Sequence, residues 1–273
     1  MTGLHIVAVK AVETAMLLDC SEADLRAELP GRTIEDVGRV GKFLVLRLDG
    51  PGEFYLTVHL GMTGQILVTP AVNGEEPEPG SATLGGPQHP HTRFLFLLET
   101  EAGSKVRFEF RDMRKFGRVH LTAGGPAPRL RRLGPDAWKG DWEVDYLAAR
   151  LRGRKAPLKA FLLDQRNLAG IGNIYADETL WWSRLAPTRP AGSLTAAEVR
   201  TLATEIRLRL EEGVRRLGCT LADFVDIEGR PGGFQEELEA YGRQGKICTR
   251  CGEVLVRVVV AGRGTTYCPG CQK

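Results

Sequence analysis

The 273-residue chain contains no apolar run near the roughly 20 residues that a membrane-spanning helix requires. It carries no stretch that reads as a secretory signal, no internal repeat and no low-complexity tract. These absences set aside a helical membrane protein and a repeat array, and they set the expectation of a cytoplasmic protein without a membrane partner. A strong charge of one sign is also missing, because 37 Lys and Arg stand against 34 Asp and Glu for a net of +3. Overall charge therefore says little about nucleic acid, and the question becomes where the basic residues cluster. What is present is ordinary for a globular protein, 42% hydrophobic and 26% charged, and long enough for two domains that each bury a core.

Four of the six cysteines lie in the last stretch, as Cys248-Thr-Arg-Cys251 and Cys268-Pro-Gly-Cys271 with sixteen residues between the pairs. Two CxxC turns at that separation are the sequence form of a four-thiolate zinc site. Two disulfides are the alternative, disfavoured without a cue for an oxidising compartment. Between the pairs, Val254, Val256, Val258, Val259 and Val260 run up to Gly262-Arg-Gly264, which predicts a hairpin with Arg263 at its tip. So short a piece has too little apolar surface to fold without its metal. From Tyr241 to Lys273 there are six Lys and Arg and one Glu, a composition that suits a phosphate-rich partner. The two remaining cysteines, Cys20 and Cys219, are expected to be free buried thiols.

The rest of the chain changes character once. Residues 4–10 alternate, Ser21 with Asp24 predicts a capped short helix carrying Leu25 and Leu29, and an extended pattern resumes at Arg32. Short β-like runs follow at 43–48, 54–60, 65–68, 93–98, 106–110 and 118–121, as in a sandwich or small barrel. The Gly-, Pro- and Glu-rich stretch between Pro70 and Pro90 is expected to be a long mobile surface loop, ending in His89-Pro-His91. A Gly/Pro cluster at 123–128 marks the boundary, and helical spacing takes over: 142–151, a helix from Leu158, a third from Asn173 to Trp182 after the turn at 167–172, and a long fourth capped by Thr195. Residues 129–166 hold ten Lys and Arg against five Asp and Glu, with Arg150, Arg152, Arg154, Lys155 and Lys159 close together. Alone, that run reads as a solvated face. The expected plan is α+β: 1–122 a β-sandwich, 123–140 a linker, 141–218 a helical bundle, 219–237 a Gly-containing loop, 238–273 the zinc hairpin.

The stretches HLGMTG at 59–64, RDMRKFG at 111–117, DQRNLAGIGNIYADE at 164–178, GRPGGFQEELEAYGRQG at 229–245 and the four-cysteine hairpin together resemble the formamidopyrimidine-DNA glycosylase and endonuclease VIII family of base-excision repair enzymes. The match extends from about residue 3 to the C-terminus. It implies an N-terminal β-sandwich joined to a helix-two-turns-helix module and a zinc hairpin, with double-stranded damaged DNA in the cleft between, and a monomer at the nucleoid. It implies that Met62 fills the gap left by a flipped nucleotide, with Arg114 facing the orphaned base and Phe116 wedged beside it; a core role is the plain alternative for Met62 alone. The turn before Asn173 would hold a phosphate at a helix N-terminus, Arg263 would hold the adjoining phosphates, and Lys159, Arg154 and His89 or His91 match DNA-contacting positions. Lys42 matches a lysine that assists β-elimination, and Arg263 a residue linked to the following elimination. The loop at 219–237 and the three wedge residues resemble the oxidised-purine branch of the family.

Two departures stand out. The family's Asp-Pro-Arg-Arg-Phe-Gly is Asp112-Met-Arg-Lys-Phe-Gly117 here, so a proline restraint is lost and a bidentate arginine becomes Lys115, a point charge. The family also begins with Pro-Glu on a buried helix, where the proline amine attacks the sugar. Here Gly3-Leu-His-Ile-Val aligns with a segment the family places further in, and the nucleophile has no counterpart. The expectation is a glycosylase and abasic-site lyase whose reading frame continues upstream to a Met-Pro-Glu start. The alternatives are a protein that binds damaged or abasic DNA without cutting it and, less in keeping with the intact wedge, a zinc-ribbon scaffold for protein contacts.

Overall fold

Period-two alternation of large apolar residues builds the first half of the molecule. The computed structural model describes residues 1–70, 89–221 and 224–273, so the interior of the loop expected between Pro70 and Pro90 lies outside the described residues. The strands are β1 (His5–Val12), β2 (Ile34–Val40), β3 (Phe43–Leu48), β4 (Phe54–His59), β5 (Gly64–Pro70), β6 (Thr92–Glu99), β7 (Lys105–Asp112) and β8 (Arg118–Ala123). They form two antiparallel four-stranded sheets, ordered β1-β6-β7-β5 and β2-β3-β4-β8. Phe94 stacks on Phe110 at 5.9 Å and Phe96 on Phe108 at 5.6 Å, and these rings share one core with Leu46, Leu48, Leu56, Val58, Val119 and Leu121 of the other sheet. Helix α1 (Glu22–Glu28) begins at the expected capping box, Ser21 with Asp24, and sinks Leu25 into the same core.

The chain divides into two units, Met1–Arg131 with Thr220–Gly232, and Arg132–Cys219 with Gly233–Lys273. The segment 220–232 thus belongs with the sheets, where the Ile227 carbonyl accepts the N–H of Val68 on the edge strand β5 at 3.1 Å. Asp226 shapes this segment by accepting the N–H groups of Glu228 and Arg230, both at 2.9 Å.

The second unit holds α2 (Val144–Leu151), α3 (Leu158–Leu163), α4 (Asn173–Trp182), α5 (Ala196–Arg215) and the hairpin β9 (Val256–Val260) and β10 (Arg263–Tyr267). Helical spacing places Leu147, Leu151, Leu158, Phe161, Leu162, Leu180, Leu202 and Ile206 in one core. Trp142, expected inside the first of these helices, precedes it; its ring lies 3.9 Å beneath the Arg207 guanidinium of α5. Cys20 and Cys219 are free thiols but half-buried, which corrects the expectation of full burial: Cys20 packs against the first core and its sulfur accepts the Leu121 N–H at 3.3 Å.

Candidate nucleic-acid surfaces and metal centre

In the first unit two loops run side by side from one sheet to the other. The β4–β5 loop leaves His59, paired with Arg118, and the β7–β8 loop leaves Asp112, paired with Gly64. Gly61 has φ of +70°, and a Cβ there would lie 2.7 Å from the Gly117 nitrogen, so only glycine lets the loops approach this closely. Their tips carry apolar side chains into solvent: Met62 is 62% exposed and Phe116 46%. Those values exclude the core role for Met62. The Arg114 guanidinium covers the Phe116 ring at 4.6 Å with Nη1 3.8 Å from the Met62 sulfur, so the three side chains form one cluster. Lys115 is exposed too, but its ammonium is 2.6 Å from the Glu13 carboxylate, which it holds below the usual carboxylate range.

His59, which sequence reasoning passed over, stands at the root of these loops. Its Nδ1 accepts the Gly61 N–H at 3.1 Å, leaving Nε2 to carry the ring proton. Burial, with the nearby charges of Lys42, Arg129 and Arg118, pulls its pKa to about 4, so the ring is a neutral donor. Lys42 is exposed beside Gly41 in the β2–β3 turn. His89 and His91 lie 5.4 Å apart with His91 donating its N–H to the His89 ring, and the Asp112 N–H is held by the His91 carbonyl at 2.9 Å.

In the second unit the turn before α4 is set by Gln165, whose side chain accepts the Gly170 N–H at 3.0 Å and donates to the Leu163 and Ile171 carbonyls. The turn delivers the first N–H groups of α4, which lack intrahelical acceptors and favour an anion. The Asn173 amide donates to the Gly264 carbonyl at 3.2 Å, so its side chain is tied to the hairpin. Arg263 is exposed directly after the two-residue turn Ala261-Gly262, whose φ values of +50° and +72° are those of a tight hairpin turn. Among the described residues its guanidinium has no hydrogen-bonding partner.

Lys159 is a correction to the expected DNA-contacting set. It is fully buried, 2.6 Å from Asp177, and donates to the Gly264 carbonyl at 3.0 Å and the Thr265 hydroxyl at 2.8 Å. Asp177 in turn accepts the Thr266 N–H at 3.1 Å. Burial pulls the lysine pKa down and the aspartate pKa up, each opposed by the other's charge. The pair therefore clamps the start of β10 onto α3 and α4 and cannot reach a phosphate. Arg154, by contrast, is exposed beside Arg152 and Lys155, with its Nε donating back to the Arg150 carbonyl.

The four hairpin sulfurs, of Cys248, Cys251, Cys268 and Cys271, all lie within 4.8 Å of one another, and none is in a disulfide. A tetrahedral zinc with bonds of about 2.3 Å needs sulfurs roughly 3.8 Å apart, so the set fits one ion and leaves no open position for a water. Against burial, the Arg250 and Cys251 N–H groups bring the Cys248 thiol down to about 6, whereas burial and the neighbouring sulfurs push Cys271 up to about 12. Arg250 lies over the Trp181 ring at 3.8 Å with Nη1 3.6 Å from the Cys271 sulfur, a positive charge against a tetrathiolate.

Comparison with known proteins agrees with this geometry. Residues 1–119 match the formamidopyrimidine-DNA glycosylase N-terminal domain, 133–224 the H2TH domain of the same enzymes, and 245–273 a zinc finger found in FPG and IleRS. The chain is 40% identical over 273 residues to the formamidopyrimidine-DNA glycosylase of Chloroflexus aurantiacus, covering all of this chain and 91% of that one. Against its counterpart from Heliobacterium modesticaldum it is 44% identical over 249 residues, 90% of this chain and 84% of that one. Among solved structures, Lactococcus lactis Fpg in complex with abasic-site DNA superposes with a TM-score of 0.83 at 29% identity over all of this chain and 94% of that one. MutM (FPG) from Thermus thermophilus does so at 0.81 and 39% identity over all of this chain and 92% of that one. With a matching β-sandwich, helical module and four-cysteine hairpin, the chain belongs to the formamidopyrimidine-DNA glycosylase family.

Proposed function

We propose that the chain serves base-excision repair as a glycosylase and abasic-site lyase acting on oxidised purines in duplex DNA. The observation that carries this reading is the exposed cluster of Met62, Arg114 and Phe116 on two rigid loops. Apolar side chains held in solvent beside an arginine suit a gap in a base stack, where a flipped nucleotide must be replaced by something. Complexes of Lactococcus lactis FPG with Fapy-dG-containing and abasic-site DNA support the substrate class. On this reading Arg263, the N–H groups opening α4 and the exposed Arg154 meet phosphates, the neutral His59 donates to another, and His89 and His91 flank the wedge. Lys42 assists β-elimination, and Arg263, a permanent cation, assists the elimination that follows by holding the phosphate. Lys115 keeps the positive residue type at the wedge with its charge largely offset by Glu13, and the protein works as a monomer in the cytoplasm, at the nucleoid.

Attack on the sugar needs an unprotonated amine within bonding reach of the flipped nucleotide. Borohydride trapping on an abasic duplex tests the reading. A lyase is expected to bind the duplex, cleave the strand and be trapped on it. Binding without trapping or cleavage would overturn the lyase reading and support the second one, a non-cutting binder of abasic sites.

A further inference from the structure

Strand β7 alternates Phe108, Phe110 and Asp112 toward the core, so its last inward position is filled by an acid where the pattern calls for an apolar side chain. Asp112 has no exposed surface, although each of the next four residues, Met113 to Phe116, is exposed. A carboxylate so placed is costly unless its oxygens are hydrogen-bonded, and here both are. One accepts the Thr63 hydroxyl at 2.5 Å and the Arg114 N–H at 3.2 Å; the other accepts the Gly117 N–H at 2.7 Å. Thr63 directly follows Met62, Arg114 is the second wedge residue, and Gly117 directly follows Phe116. The three donors are thus the backbone or nearest neighbour of all three wedge residues, drawn from both loops. The Thr63 hydroxyl also lies 3.4 Å from the Arg114 N–H, which closes the link between the loops.

We propose that Asp112, acting through Thr63, is the positioning residue of the wedge: a buried carboxylate that fixes Met62, Arg114 and Phe116 relative to one another before DNA arrives. The inference rests on the wedge reading above. Lys115 and Glu13 form a second tie on the outer side, but its lysine is exposed and the pair is screened, and contributes far less. Holding three side chains ready spares the ordering cost that loose loops would meet on binding, and that saving is realised only where there is a gap to fill. Asp112 should therefore govern the preference for a lesion more than the hold on DNA as such.

The test compares affinities for a duplex bearing a tetrahydrofuran abasic analogue and for the same duplex undamaged, using Thr63→Val, Thr63→Ser, Asp112→Asn and Met62→Ala, with thermal unfolding of each. Thr63→Val keeps the branched shape and loses the hydroxyl, so it should lower the abasic-to-plain affinity ratio by about tenfold, the scale of a lost hydrogen bond to a charged group. Thr63→Ser restores the hydroxyl and should restore the ratio, which a purely structural role would not require. Asp112→Asn presents an amide N–H to at least one of the three donors and should lower the ratio at least as far. A lowered ratio with Met62→Ala but an unchanged one with both Thr63→Val and Asp112→Asn overturns the inference while leaving the wedge intact. A ratio indifferent to Met62→Ala removes the wedge reading and this inference with it.

Discussion

The wedge loops and the zinc hairpin both hold an exposed side chain still, yet they do so by opposite means. The loops grow from two four-stranded sheets over a large aromatic core, so a few polar contacts to one buried carboxylate suffice to fix their tips. Among the described residues the hairpin has a small cluster, Trp181, Trp182, Ala240 and Leu255, packed around its cysteines, and needs a metal at one end and a buried ion pair at the other. Where the core is large, positioning is local; where it is small, positioning and folding are the same event.

Removing the metal should accordingly produce the largest effect. Purified protein is expected to hold one zinc per chain, and chelation should unfold the hairpin, shift the emission of Trp181 beneath Arg250, and abolish DNA binding while the β-sandwich stays folded. Structural zinc in isolated fingers contributes about 10–16 kcal/mol, so no partial loss is expected. A metal content near zero with four titratable thiols would contradict the account.

Next in size is the clamp. Lys159→Met leaves Asp177 buried without its cation and should cost about 3–5 kcal/mol in denaturant unfolding, with Arg263 losing its fixed place. Adding Asp177→Leu should recover much of that loss, because the pair as a unit is worth little against apolar replacements. Equal and additive costs for the two changes would show that the groups do not act as a pair.

The smallest effect separates the root of the wedge from its tip. His59 has a folded pKa of about 4 against an ordinary value of 6.5. Between those values the unfolded chain takes up a proton that the folded chain refuses, so stability falls as pH drops through the window. After screening, the loss is no more than ~2 kcal/mol. His59→Gln removes the titration, and the difference in unfolding free energy between the two proteins should change with pH from 6.5 to 4. A flat difference would show that the ring is not held neutral by its surroundings.

Much of this was legible from the chain alone because local pattern and global packing agree. Strand β3 and helix α4 fall where alternation and the GIGN turn put them, and both capping boxes form as read. The CxxC spacing gave the thiolate cluster, because each such turn aims two sulfurs at one point. Burial of individual polar residues was not legible. Lys159 sits in a basic run and looks like a surface charge; only folding brings Asp177 and the Gly264 carbonyl to it. Asp112 lies beyond the strand read at 106–110, so its inward position on β7 and its donors appear only in the folded chain. His59 was hidden by its neighbour Met62, since a ring's tautomer depends on contacts and not on spacing.

The division of labour between the two regions is tested most directly by one crossed measurement, the affinities of Met62→Ala and Arg263→Ala for an abasic-analogue duplex and for the undamaged duplex across a salt series. The account predicts that Arg263→Ala weakens both duplexes alike and reduces the salt slope by about one, as loss of a phosphate contact does. It predicts that Met62→Ala leaves the slope alone and lowers only the preference for the abasic site. Equal effects of both changes on both duplexes would contradict it.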